Sequence, residues 1–133
     1  MSAKETIAQI KAQDGLVCIP HPYDRLRLSV FIDQIFEDIM SDVDIIEVFN
    51  ARSLSPGSST RAIKLAQKYS KLASAGSDAH TLPEIGNAYV EMPIFNDKYE
   101  FLAALAKGKV SGNKSNPTAH FVSTWNRLKK RLS

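Results

Sequence analysis

Three short apolar runs, at residues 16–19, 45–49 and 72–75, start about 28 residues apart. Each has the length and content of a buried strand, and each gap carries a helical pattern. Over residues 25–40, Leu28, Phe31, Ile32, Ile35, Phe36 and Ile39 trace one helical face. Over 60–69, Ala62, Leu65, Ala66 and Tyr69 repeat it, and Ser58, Ser59 and Thr60 offer an N-cap. An earlier helix is expected over 3–12, with Ala3, Ile7 and Ile10 facing inward and Gly15 ending the turn into the first strand. The resulting α-β-α-β-α-β order predicts an α/β fold, with parallel strands joined by right-handed helical crossovers.

Beyond His80 the rhythm changes. Residues 87–92 suit a fourth strand, Asp97 caps a helix ending near Lys107, and 108–117 read as loop. Phe121, Trp125, Leu128 and Leu132 then share one face of a C-terminal helical extension. No repeat or linker divides the 133 residues, so 1–133 read as one domain, in which 89–133 form an extension.

The hydrophobic share of 44% is enough to bury a core. Cys18 is the sole cysteine, which excludes an internal disulfide and fits a reducing, cytoplasmic setting; within its apolar run it reads as a buried, inert thiol. No stretch suggests a membrane span, and the mixed-charge N-terminus reads as neither signal peptide nor anchor. Part of the net charge of +3 comes from Arg127, Lys129, Lys130 and Arg131, a cluster that complements a helix end. Without an aromatic platform or recognition motif it argues against nucleic acid as a partner.

In parallel α/β structures ligands gather where strands end. The first run leads straight into His21-Pro22, the third into Gly76-Ser77-Asp78-Ala79-His80, and the second ends in Glu47, Val48, Phe49 and Asn50. A carboxylate and an imidazole spaced as Asp78 and His80 suit zinc, manganese or iron, with Gly76 allowing a tight turn. A lone Asp-x-His pair is more often structural or solvent-exposed; placing His21 on the same rim brings the metal reading level with that alternative. Arg25 and Arg52 follow strand ends and suit an anionic substrate, against the alternative of surface ion pairs. Glu47, in a run that should be buried, is expected near the site or paired with a base. His120 reads as a capping or surface residue.

Taken in order, Gly15-Leu16-Val17-Cys18-Ile19-Pro20-His21-Pro22, Ile45-Ile46-Glu47-Val48-Phe49-Asn50-Ala51-Arg52, Ala73-Ser74-Ala75-Gly76-Ser77-Asp78-Ala79-His80 and Ile85-Gly86-Asn87-Ala88 resemble the PHP (polymerase and histidinol phosphatase) family. The resemblance is strongest over residues 14–88. It implies a distorted βα barrel with divalent metals at its C-terminal rim, and hydrolysis of phosphate mono- or diesters, with a phosphorylated small molecule or nucleotide as substrate. By that likeness His21, Asp78 and His80 are metal ligands, and zinc, manganese or iron is the cofactor. The family's opening His-x-His motif and further early ligands have no counterpart before His21. The resemblance therefore implies the C-terminal part of such a barrel, weakly active or inactive alone. Its partner would be an N-terminal half-domain or a second copy. The alternative is a non-catalytic binding or structural module derived from the same family.

Overall fold

The computed structural model describes residues 1–23 and 32–115. Among them are four α-helices: α1 (Ala3–Ala12), α2 (Ile32–Ile39), α3 (Ser58–Lys68) and α4 (Lys98–Ala106). The strands are β1 (Cys18–Ile19), β2 (Ile45–Asn50), β3 (Leu72–Gly76), β4 (Ala88–Glu91) and β5 (Lys109–Gly112), with 3-10 turns at Met40–Asp42 and Leu82–Glu84. Strands β1, β2 and β3 lie side by side in that order and are parallel, pairing Ile19 with Ile46 and Asn50 with Gly76. The α/β class and the parallel sheet expected from the apolar runs are therefore present. Among the described residues the sheet is open rather than closed into a barrel, with β1 and β3 as its edges.

Alternation along β2 gives the sheet two unlike faces. Ile46 and Val48 are buried, whereas Glu47 between them is half-buried. Ile46, Val48 and Val17 share one apolar cluster with Ile7 of α1, Phe36 and Ile39 of α2, and Ala62, Leu65 and Ala66 of α3. Full burial of a side chain such as Ile46 contributes about 1.5–3 kcal/mol, so this cluster is what holds the three helices to the sheet. Helix α4 and the β4–β5 pair pack against β3 instead, and Ala104 and Leu105 are buried outside that cluster. Lys98 at the start of α4 bonds Asp14, tying this second layer back to the α1–β1 turn.

Local chemistry sets several boundaries differently from the sequence reading. Ser2 and Glu5 form a capping box that starts α1. The left-handed residue after α1 is Asp14 (φ 59) and not Gly15. Gly15 is required by close approach, since a Cβ there would sit 2.8 Å from Ile10 Cγ2 and 2.9 Å from Ile10 O. Helix α3 begins at Ser58 with Gly57 (φ 73) as its N-cap, so the expected Ser58, Ser59 and Thr60 caps fall inside its first turn. Asp97 caps α4 as expected, accepting the N–H groups of Tyr99 and Glu100 at 2.8 Å. Residues 109–112, read as loop, are a strand because Ala88 to Glu91 offer an antiparallel partner. Cys18 is exposed and not buried, because it alternates with Val17 and Ile19 and lies on the sheet face opposite the helix-covered cluster. Arg25, His120, the basic C-terminal cluster and the expected final helix lie outside the described residues.

Candidate functional site

Parallel β1 and β3 deliver the residues beyond them to one rim. His21 stands two positions beyond β1, and Asp78 two positions beyond β3. Both are left-handed, with φ 27 at His21 and φ 50 at Asp78. The other non-glycine residues of this kind among the described ones are Asp14 and Ser70. Those two follow the C-caps of α1 and α3 and return their N–H groups to Lys11 O and Gln67 O, the ordinary use of a left-handed residue at a helix end. His21 and Asp78 terminate no helix. Such backbone costs about 1–3 kcal/mol and persists only where the surroundings impose it.

Two carboxylates bond the main chain at these exits. Glu47, on β2 between the two exits, accepts the N–H of His21 at 2.6 Å and the side-chain amide of Asn50 at 3.1 Å on one oxygen. Its other oxygen fills the space over Gly76, so that a Cβ at residue 76 would lie 1.9 Å from it. One carboxylate thereby touches the ends of β1, β2 and β3. Asn50 continues the network, accepting the N–H groups of Arg52 (2.9 Å) and Ser53 (3.1 Å), while the Lys114 ammonium caps Asn50 O and Ser53 O at 2.9 and 3.0 Å.

The second carboxylate is Glu84. One oxygen meets the Arg52 guanidinium at 2.5 Å, with the two side chains 4% and 6% exposed. The other accepts His80 N–H at 3.1 Å, Thr81 N–H at 3.0 Å and the Thr81 hydroxyl at 2.8 Å. Burial pushes the Glu84 carboxyl upward, but the hydrogen bonds from Thr81, His80 and Arg52 together outweigh it and hold the group below its ordinary value.

The rim brings the sequence-predicted residues together in part. The His80 imidazole Nε2 lies 3.5 Å from Asp78 Oδ1, and both side chains are partly open to solvent. His21 lines instead a tight cleft of about 10 Å³ shared with Glu47, Asn50, Ser53 and Ser58. Arg52 is committed to Glu84, an ion pair as one reading had it, but buried where a surface pair was anticipated. In kind the donors suit a divalent ion. In number they fall short: among the described residues no three His, Cys, Asp or Glu side chains lie close enough to share one. Cys18 Sγ lies 3.7 Å from Ser74 Oγ, and partial desolvation, outweighing that contact, raises its thiol above the usual range.

Sequence reasoning missed Glu84 and Lys114. The Thr81-x-x-Glu84 pattern was a usable signal, because it is the capping-box spacing. Lys114 carries no signal, since its acceptors are main-chain carbonyls more than sixty residues away.

Residues 56–110 match the family model described as PHP-associated, so this stretch is similar to a C-terminal PHP-associated region. It contains Asp78, His80 and Glu84, and leaves out His21, Glu47 and Arg52. One uncharacterized protein of Methanocaldococcus jannaschii is 34% identical over 95 residues, covering 69% of this chain and 40% of the relative. A second from the same organism is 45% identical over 51 residues, covering 38% and 28%. The chain thus spans well under half the length of these relatives. No helix among the described residues is long and apolar enough to cross a membrane.

Proposed function

We propose that this chain supplies one side of a metal-dependent phosphoester hydrolase site of the PHP type, in which β1, β2 and β3 are successive strands of a βα barrel. The observation that carries the reading is the pairing of left-handed exits at His21 and Asp78, on the same rim, with His80 beside Asp78. Strain without a helix to terminate marks positions held for function. That α1, α2 and α3 share a cluster with a single face of the sheet also suits a barrel wall, whose helices all lie outside.

Asp78 and His80 would hold a zinc, manganese or iron ion, with His21 supplying a donor to the same cluster. When bound, such an ion polarises a phosphate oxygen and lowers the pKa of water. The chain's own residues orient those donors, and the remaining donors come from solvent or from an N-terminal half-domain of the kind the longer relatives have room for. The substrate class is a phosphorylated small molecule or nucleotide, and a reducing cytoplasm suits the single thiol. Metal content of the purified chain, measured by mass spectrometry beside an Asp78→Ala, His80→Ala double variant, tests this. Zinc, manganese or iron bound by the wild type and lost from the variant is the expected result; equal content in both would sink the reading.

A second reading, a non-catalytic module that associates with another chain, is favoured by the exposed edge strand β1 and its exposed Cys18. It predicts self-association or capture of a half-domain. A strictly monomeric chain at high concentration by light scattering counts against the self-association arm.

A further inference from the structure

Both candidate histidines are gripped by a carboxylate, and in both the grip is on the main chain. Glu47 takes the N–H of His21, and Glu84 takes the N–H groups of His80 and Thr81. Neither bond uses an imidazole nitrogen. Glu47 reaches the β1 exit from β2, 26 residues along the chain, whereas Glu84 reaches the β3 exit from only four residues beyond His80, within the capping box it forms with Thr81. Their second oxygens are also committed, one against Gly76 and one to the buried Arg52.

We propose that Glu47 and Glu84 are a matched pair of positioning residues, not ligands, which set the main-chain conformation at His21 and at Asp78–His80; the role rests on the metal-site reading above. A left-handed residue holds its conformation only if the backbone around it is pinned. Glu84 pins the two N–H groups just beyond Asp78, and Glu47 pins His21 itself. Arg52 neutralises Glu84, so that the clamp stands in a buried place without an uncompensated charge. This accounts for a guanidinium that faces inward at a rim where an anion-binding arginine was expected.

The test needs a variant that loses the clamp and keeps the fold. Exchanging both members of a buried pair for apolar residues of similar size is often neutral, so Arg52→Met, Glu84→Leu serves for the β3 exit, and Glu47→Ala for the β1 exit. Amide hydrogen exchange is tracked by nuclear magnetic resonance, and Zn2+ affinity by titration of the His80 ring signals. In the double variant, exchange at His80 and Thr81 should rise by about tenfold or more while Ile46 stays protected. Zinc affinity should fall by about 10–100-fold, as for other residues that orient ligands. In Glu47→Ala the accelerated amide should be that of His21, with His80 unchanged. Unchanged exchange, or a loosened loop with unchanged zinc affinity, would overturn the positioning role while the metal reading stands. A wild-type chain that takes up no zinc would overturn the metal reading, and the ligand-positioning role with it.

Discussion

Gly76→Ala is the smallest change that tests how the three strand ends are joined. Gly76 lies outside the left-handed region, and among the described residues the atoms nearest its missing Cβ belong to Glu47, at 1.9 Å for Oε1 and 3.1 Å for Cδ. A methyl group there must displace the carboxylate by more than about 1 Å to reach ordinary contact. Because the carboxylate is rigid, its other oxygen leaves both the His21 N–H at 2.6 Å and the Asn50 amide at 3.1 Å. Losing hydrogen bonds to a charged acceptor, with some overpacking, costs about 2–4 kcal/mol. Against this, alanine restricts the unfolded chain and contributes about 0.4–1 kcal/mol. The net expectation is a loss of about 1–3 kcal/mol, read from urea denaturation as a shift in midpoint at constant slope. The decisive comparison is in a Glu47→Ala background, where the obstructing oxygen is gone. There Gly76→Ala should become neutral or slightly stabilising. If it costs as much as in the wild type, the clash with Glu47 is not the cause and the hub account fails.

Arg52→Ala strands the Glu84 carboxylate in a buried place and should cost about 3–5 kcal/mol in the same assay; a loss under about 1 kcal/mol would refute the buried-pair account. Because the folded Glu84 carboxyl lies below its ordinary value, its stabilising contribution is present above about pH 4.3 and fades as pH falls through the folded value. The gap between wild type and Arg52→Ala should therefore narrow in acid. The Cys18 thiol is exposed but titrates above the usual range, so its alkylation by iodoacetamide near pH 8 should run slower than that of a free cysteine peptide; an equal or faster rate would contradict the desolvation argument.

The sequence carried whatever depends on near neighbours. Helix α1 and the Asp97 cap were legible because periodicity and capping act within a few residues. The three parallel strands were legible because each is a continuous apolar run. Strand β5 was not, since Lys109, Val110, Ser111 and Gly112 become a strand only when paired with β4. The exposure of Cys18 was not legible because an apolar run does not tell which sheet face the helices cover. Glu47, a carboxylate in a run that should be buried, was expected near the site or paired with a base; it accepts from the His21 main chain and the Asn50 amide. The Arg52–Glu84 pair joins residues 32 apart, and only the tertiary fold brings them together.

Asp78 allows strain and function to be separated at one position. At φ 50 an L-residue is strained by its Cβ and glycine is not, a difference of about 1–2 kcal/mol. Asp78→Gly should therefore be more stable than Asp78→Ala by about 1 kcal/mol, the reverse of the order these residues show in helices and strands. Both variants remove the carboxylate, so both should lose metal alike if Asp78 is a ligand. Ser70, at φ 52 beyond α3, supplies the control: glycine should exceed alanine there too, with metal uptake untouched. An alanine variant at residue 78 as stable as the glycine one would mean that the left-handed exit is not strained, and would remove the argument that links it to function. If the order holds at both positions and metal is lost only at residue 78, aspartate there is less stable than it could be for the sake of the ligand it provides, the exchange of stability for activity expected of a site residue.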